Sequence, residues 1–151
     1  MSQNSTLNIH QPNPGAELVL RVVPMPADLN WNGDIFGGYV MAHVDVAGGI
    51  IAMKRARGRV ATIAVNSFTF KQPISVGDHL SFYCTIEKVG KTSITVHVDV
   101  IAERNPENPV TVRVTEATLT YVAIDLEGNK RVISDLFKTF SRRCLIPEAF
   151  W

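Results

Sequence analysis

One carboxylate and one pair of glycines carry the chemistry this sequence can do. The stretch from Asn30 to Arg59 opens with Asn30-Trp31-Asn32-Gly33-Asp34, continues through Gly37-Gly38, and then runs in a helical pattern to about Arg57. Asn and Asp side chains close local hydrogen-bonded turns, and Gly33 accepts a positive φ, so residues 30–34 read as a turn. Gly37 and Gly38 stand at the start of the helix, where backbone N–H groups lack intrahelical partners. Glycine lets a ligand approach the backbone there, and such an end can polarise a carbonyl oxygen or hold an anion. The alternative is simply a flexible start to the helix. Asp45 lies at i+4 from Met41 and i−3 from Gly48. It therefore projects from, or beside, the apolar face formed by Met41, Val44, Gly48, Ile51 and Ala52. A carboxylate in that position is costly unless paired, hydrogen-bonded or protonated. It reads either as a general base or nucleophile in a dry cleft, or as a structural Asp bonded to a neighbouring loop.

The elements that must position these residues follow from periodicity. The helix is expected to span about 18 residues, longer than usual. Lys54, Arg55 and Arg57 gather in its last turn, where the dipole favours cations, and Gly58 stands where a terminal cap glycine belongs. Before it, Glu17 to Val23 is a β-branched run ended by Pro24 and Pro26. After it, Val60 to Phe70 alternates, as do Leu80 to Glu87 and Ser93 to Val100, with Val89-Gly90-Lys91 as a hairpin turn. Val110 to Asp125 is again β-rich and is closed by Glu127-Gly128-Asn129. The order is β-α-β-β-β-β. Hairpins imply antiparallel pairing, and one apolar helix must bury its face on the sheet, which makes the class α+β. Ser134 to Arg143 reads as a short helix, and Phe150 and Trp151 as an aromatic end that docks on the sheet or on another subunit.

Composition narrows the function. A chain of 151 residues, 46% hydrophobic and 19% charged, is one soluble globular domain. Its net charge of +1 argues against broad electrostatic binding of nucleic acid. No run of 18 apolar residues is present, so no membrane span is expected. The polar segment Met1 to Pro14 lacks a signal core. With Cys84 and Cys144 far apart and in no metal-type spacing, a cytoplasmic protein with reduced thiols is expected. His10, His43, His79 and His97 show no ligand spacing, and neither a metal nor a redox cofactor is implied.

Four segments in order, Asn32-Gly33-Asp34-Ile35-Phe36-Gly37-Gly38, Val44-Asp45-Val46-Ala47-Gly48-Gly49, Gly58-Arg59-Val60 and Phe70-Lys71-Gln72-Pro73-Ile74-Ser75-Val76-Gly77-Asp78, closely resemble the YciA-type acyl-CoA thioester hydrolases. The resemblance runs from about Gly15 to Gly128. It implies a hot-dog fold, in which a curved antiparallel sheet wraps a long helix. On this basis the chain divides into a flexible arm (1–14), a hot-dog thioesterase domain (15–128) and a C-terminal extension (129–151). The implied reaction converts acyl-coenzyme A to a free carboxylic acid and CoA, with no cofactor beyond the coenzyme A carried by the substrate. The resemblance makes Asp45 the catalytic carboxylate, sets Asp34 near it across a subunit interface, and gives the thioester carbonyl to the N–H of Gly37 or Gly38. It also implies a homodimer with a continuous sheet, assembled further as a trimer of dimers.

Helix geometry bears on this. Asp45 lies about 12 Å along the axis beyond Gly37 at 1.5 Å per residue, too far for both to address one carbonyl carbon within one chain. A site assembled from two chains is therefore favoured. For the CoA phosphates the candidates are Arg57 and Arg59 after the helix, Lys71 after the second strand, and Lys91, Thr92 and Ser93 at the hairpin. Each is otherwise an ordinary solvated surface group. His43 stands where that family usually has a polar amide, and the segment from Leu136 departs from the family pattern. Two other readings remain: a non-catalytic hot-dog module that binds acyl-CoA as a sensor, for which two retained carboxylates have no use, and a hydroxyacyl dehydratase using His43.

Overall fold

A computed structural model describes residues 10–134 of the chain. Its order is β1 (Glu17–Val22), a 3₁₀ turn (Pro26–Asp28), α1 (Gly37–Ala56), β2 (Val60–Phe70), β3 (His79–Val89), β4 (Ser93–Arg104) and β5 (Val110–Ala123). The five strands form one antiparallel sheet in the order β1-β3-β4-β5-β2, and α1 packs across it. The expected α+β class and β-α-β-β-β-β order are therefore observed. No described helix is long and apolar enough to cross a membrane.

The core forms where strand alternation meets the helix. On β4, Ile94, Val96, Val98 and Val100 are fully buried, and on β5 Ala117, Leu119, Tyr121 and Ala123 face the same core. The helix contributes Val40, Val44, Ala47, Gly48, Ile51, Ala52 and Ala56. One expected core residue is displaced: Met41 is 42% exposed, and Val40 one residue earlier takes its place. The long helix keeps turning through this seam, and the buried stripe falls on Val40, Val44 and Ala47.

The helix ends differently from expectation. It spans 20 residues, and the left-handed cap residue is Arg57, with φ 52°, rather than Gly58. Gly58 has a separate reason to be glycine: a Cβ there would sit 2.6 Å from Nη2 of Arg131. That guanidinium donates to the Ala56 carbonyl at 2.7 Å and so satisfies the last turn. Residues 129–134, counted with the C-terminal extension, thus pack into the domain, and Ile133 is buried in the core. Ser134 is exposed and outside any regular element, while the rest of the expected helix to Arg143, and Phe150 and Trp151, lie outside the described residues. At the other terminus, residues 10–14 of the expected flexible arm are tied to β5. His10 N–H donates to Thr111 Oγ1 at 2.9 Å, and Arg113 Nη2 to the Gln11 carbonyl at 3.4 Å.

The loop from Lys71 to Asp78 is fixed by a buried ion pair. Asp78, 4% exposed, accepts from Arg104 Nε at 3.1 Å and from the Ser75 N–H at 3.0 Å, while Arg104 Nη2 also donates to the Pro73 carbonyl. Removing the carboxylate leaves a partly buried guanidinium without its partner. Asp78→Ala is expected to lower unfolding free energy by about 3 kcal/mol in urea denaturation. A loss below about 1 kcal/mol would mean that the pair behaves like an exposed one.

Candidate active site

The turn that opens the site is built by Asn30. Its Oδ1 accepts the N–H groups of Asn32 at 2.8 Å and Asp34 at 3.2 Å, and its own N–H donates to the Asp34 carbonyl at 2.7 Å. Gly33 supplies the required φ of 86°. Ile35 N–H then donates to the Ile74 carbonyl at 2.9 Å, which ties this turn to the loop held by Asp78. Between the two lies a cleft of about 340 Å³, lined by Asp34, Gly37, Val40, Phe70, Lys71 and Pro73 among others.

The helix start faces this cleft. Its cap residue, Phe36, offers no side-chain hydrogen bond, so the leading N–H groups remain for solvent or ligand. The two glycines differ. A Cβ on Gly37 would stand 3.1 Å from Phe70 Cζ, whereas a Cβ on Gly38 would meet nothing within 4 Å. Neither has a positive φ. Packing therefore accounts for Gly37 but not for Gly38, and the absence of a side chain at Gly38 opens the backbone to an approaching group.

Asp45 is not in that cleft. It sits half-buried between helix and sheet, where Thr62 Oγ1 donates to its Oδ1 at 2.7 Å. The Tyr121 hydroxyl lies 3.0 Å from the Asp45 carbonyl and 3.3 Å from Oδ1. Burial, reinforced by the neighbouring Asp45 charge, pushes the Tyr121 phenol well above its ordinary range and keeps it a donor. Thr62 and Tyr121 are direct cross-strand partners on β2 and β5. Neither stood out in the sequence. The signal that points to them is Gly48: glycine inside a helix costs about 1 kcal/mol relative to alanine. At Gly48 a Cβ would overlap the Tyr121 hydroxyl.

The structure brings Asp34, Gly37 and Lys71 together and leaves Asp45 apart from them. Lys71 also pairs with Glu116 at 3.2 Å. The remaining phosphate candidates lie at the other end of the helix, about 30 Å away for 20 residues at 1.5 Å each. There Arg59 Nη1 donates to the Asp125 and Leu126 carbonyls at 3.3 and 3.1 Å. Thr92 and Lys91 lend their carbonyls to Ala123 and Ile133, and Ser93 lends its carbonyl to Gly90. Arg57 caps the helix beside them. His43 Nδ1 donates to the Tyr39 carbonyl at 2.8 Å, and its ring stacks on Tyr39 at 4.3 Å, which gives it a structural role. The Cys84 thiol is pushed up to about 12, chiefly by burial, and is no nucleophile at neutral pH.

Comparison with known proteins agrees with this architecture. The thioesterase superfamily pattern matches residues 32–109. The acyl-CoA thioester hydrolase YciA of Escherichia coli (strain K12) is 42% identical over 122 residues, covering 80% of this chain and 92% of that protein. A hexameric hotdog fold thioesterase of Campylobacter jejuni superposes with a TM-score of 0.78 at 38% identity, covering 84% of this chain and 97% of the other. An acyl-CoA hydrolase of Staphylococcus aureus, solved with a threonine changed to alanine, superposes with a TM-score of 0.70 at 28% identity, covering 83% of this chain and 80% of the other. A second form of it has an aspartate changed to alanine, and the two altered positions are 17 apart, as Asp45 and Thr62 are here. The chain therefore belongs to the thioesterase superfamily, within the hot-dog family of YciA-type acyl-CoA thioester hydrolases.

Proposed function

We propose that this protein hydrolyses acyl-coenzyme A to a carboxylic acid and CoA at a site shared by two copies of the chain. One copy supplies Asp45; the other supplies the helix start at Gly37 and Gly38 with Asp34 beside it. The observation that carries this is the setting of Asp45: a carboxylate inside the helix–sheet seam, addressed by two hydroxyls through one of its oxygens.

The chemistry follows from these parts. Donors at the helix start hold the thioester carbonyl and the oxyanion that develops on it. Water adds to the carbonyl carbon while Asp45 takes its proton, the C–S bond breaks, and the proton passes to the departing CoA thiolate. In the alternative route Asp45 itself attacks, expels the thiolate and forms a mixed anhydride that water cleaves. Both routes balance with water alone, and neither calls for a metal or a redox cofactor.

Two copies are favoured by the sheet edge as well as by helix geometry. β2 pairs on one side only, with β5, and exposes Ile63 at 57% and Val65 at 50%. A long apolar edge invites pairing with another chain. Thr62, which holds Asp45, lies on that same edge strand, so a β2–β2 dimer brings Asp45 near a second copy. A trimer of such dimers is supported by the hexameric relative. Lys71 beside the cleft and the group Arg57, Arg59, Lys91, Thr92 and Ser93 at the far end are the proposed phosphate contacts. The buried free thiol of Cys84 fits a reducing, cytoplasmic setting.

Release of CoA thiol from a panel of short- to long-chain acyl-CoA substrates tests the reading. Asp45→Asn is expected to lose at least about 100-fold in kcat while remaining folded and binding CoA. Wild-type protein that binds acyl-CoA but releases no thiol would instead be a sensor. Gly38→Ala separates ligand approach from folding. Its urea stability is expected to stay level or rise by up to about 1 kcal/mol, and its turnover to fall about ten-fold as the added methyl crowds the carbonyl. A fall in stability with unchanged turnover would make Gly38 structural.

A further inference from the structure

We propose that Tyr121 is a positioning residue for the Asp45 carboxylate, its hydroxyl acting with that of Thr62 to present one carboxylate oxygen to the reacting thioester. This rests on the reading of Asp45 as the catalytic carboxylate.

Four features of the seam meet at this point. Tyr121 is 1% exposed, so its hydroxyl must find its partner inside the protein. It finds the Asp45 carbonyl at 3.0 Å and Oδ1 at 3.3 Å, both on the residue that carries the chemistry. Gly48 leaves the notch that admits it, since a Cβ there would overlap the hydroxyl. Finally, Tyr121 and Thr62 are opposed directly across β5 and β2, and their hydroxyls converge on the same atom, Oδ1.

The arrangement has a chemical consequence. A carboxylate free to rotate offers either oxygen in many orientations. The Thr62 hydroxyl on Oδ1, with the single Tyr121 proton shared between Oδ1 and the Asp45 carbonyl, fixes the plane of the group and leaves Oδ2 as the oxygen that takes the proton or attacks. Packing alone does not call for this. A phenylalanine would fill the same core volume, and alanine at Gly48 and Gly49 would suit the helix better. A glycine inside the helix at 48 and a buried phenol are a costly combination unless the hydroxyl is needed where it ends.

Tyr121→Phe keeps the ring and removes only the hydroxyl, so it tests the point directly. The expected result is a folded protein whose kcat is about ten-fold lower, with KM for acyl-CoA changed by less than about two-fold. A purely structural hydroxyl would lower the melting temperature and leave kcat where it was, and that result overturns the proposal. Asp45→Asn measured beside it keeps the two readings apart. An inactive Asp45→Asn with a wild-type Tyr121→Phe sinks only the positioning role, whereas a fully active Asp45→Asn sinks both.

Discussion

The hydroxyl of Tyr121 reaches Asp45 only because Gly48 has no side chain in its way. That contact sets how closely α1 can lie on the sheet. The helix face that meets the strands is made largely of small residues, with Ala47, Ala52 and Ala56 nearly or fully buried beside Gly48. The sheet supplies the bulk in return, through Phe82, Leu80, Leu119 and Tyr121. Small residues on one surface against large ones on the other give a dense interface, since interiors tolerate few voids. A larger residue at Gly48 would lift the helix at its middle and disturb Val44 and Ala47 on either side. The seating of the helix and the setting of Asp45 are thus one structural fact.

The cleft at the helix start is held by different means. Ile35, Val40 and Ile74 anchor its walls in the core, and polar bonds fix the loop backbone. Asn30 folds the turn that carries Asp34, and Asp78 with Arg104 fixes the loop that carries Lys71 to Ile74. A single backbone bond from Ile35 to Ile74 joins the two. Such loops keep their shape because each buried polar group has a partner, and because Ile35 and Ile74 pin them to the core. The helix start can then remain uncapped, with donors free for a ligand, without loosening its surroundings.

Much of this was legible in the sequence, for physical reasons. Alternation over Val60 to Phe70 and Ser93 to Val100 gives strands directly, because a half-buried strand has period two. Asp45 stood out because a carboxylate on an apolar helical face demands a partner. The identity of the partner was hidden. Thr62 and Tyr121 are far from Asp45 in the chain, and only sheet register brings them opposite each other. Arg57, read as a dipole partner and a phosphate candidate, is also the left-handed cap, a conformation that a non-glycine residue rarely adopts. Its neighbour Gly58 is required by the approach of Arg131, a contact from the far end of the domain that no local pattern reveals. Arg59 reads as a phosphate candidate or a solvated surface group, and its carbonyl partners from the 124–130 turn are invisible to local sequence pattern.

Distance decides how the parts can cooperate. Within one chain the helix start and Asp45 are about 12 Å apart along a rigid axis, while a carbonyl and its attacking group must meet at about 3 Å. No side-chain rotation closes that gap, and bending the helix would break the seam at Gly48. In the proposed two-copy site the missing element comes from outside the chain, and the exposed side of β2 is where it would enter. That strand carries Thr62, so any copy pairing along it comes close to the carboxylate that Thr62 holds. The feature that makes this edge a liability in an isolated chain, a long apolar strand with unpaired backbone groups, is the same feature by which, in the proposed site, a second copy would bring its helix start to Asp45.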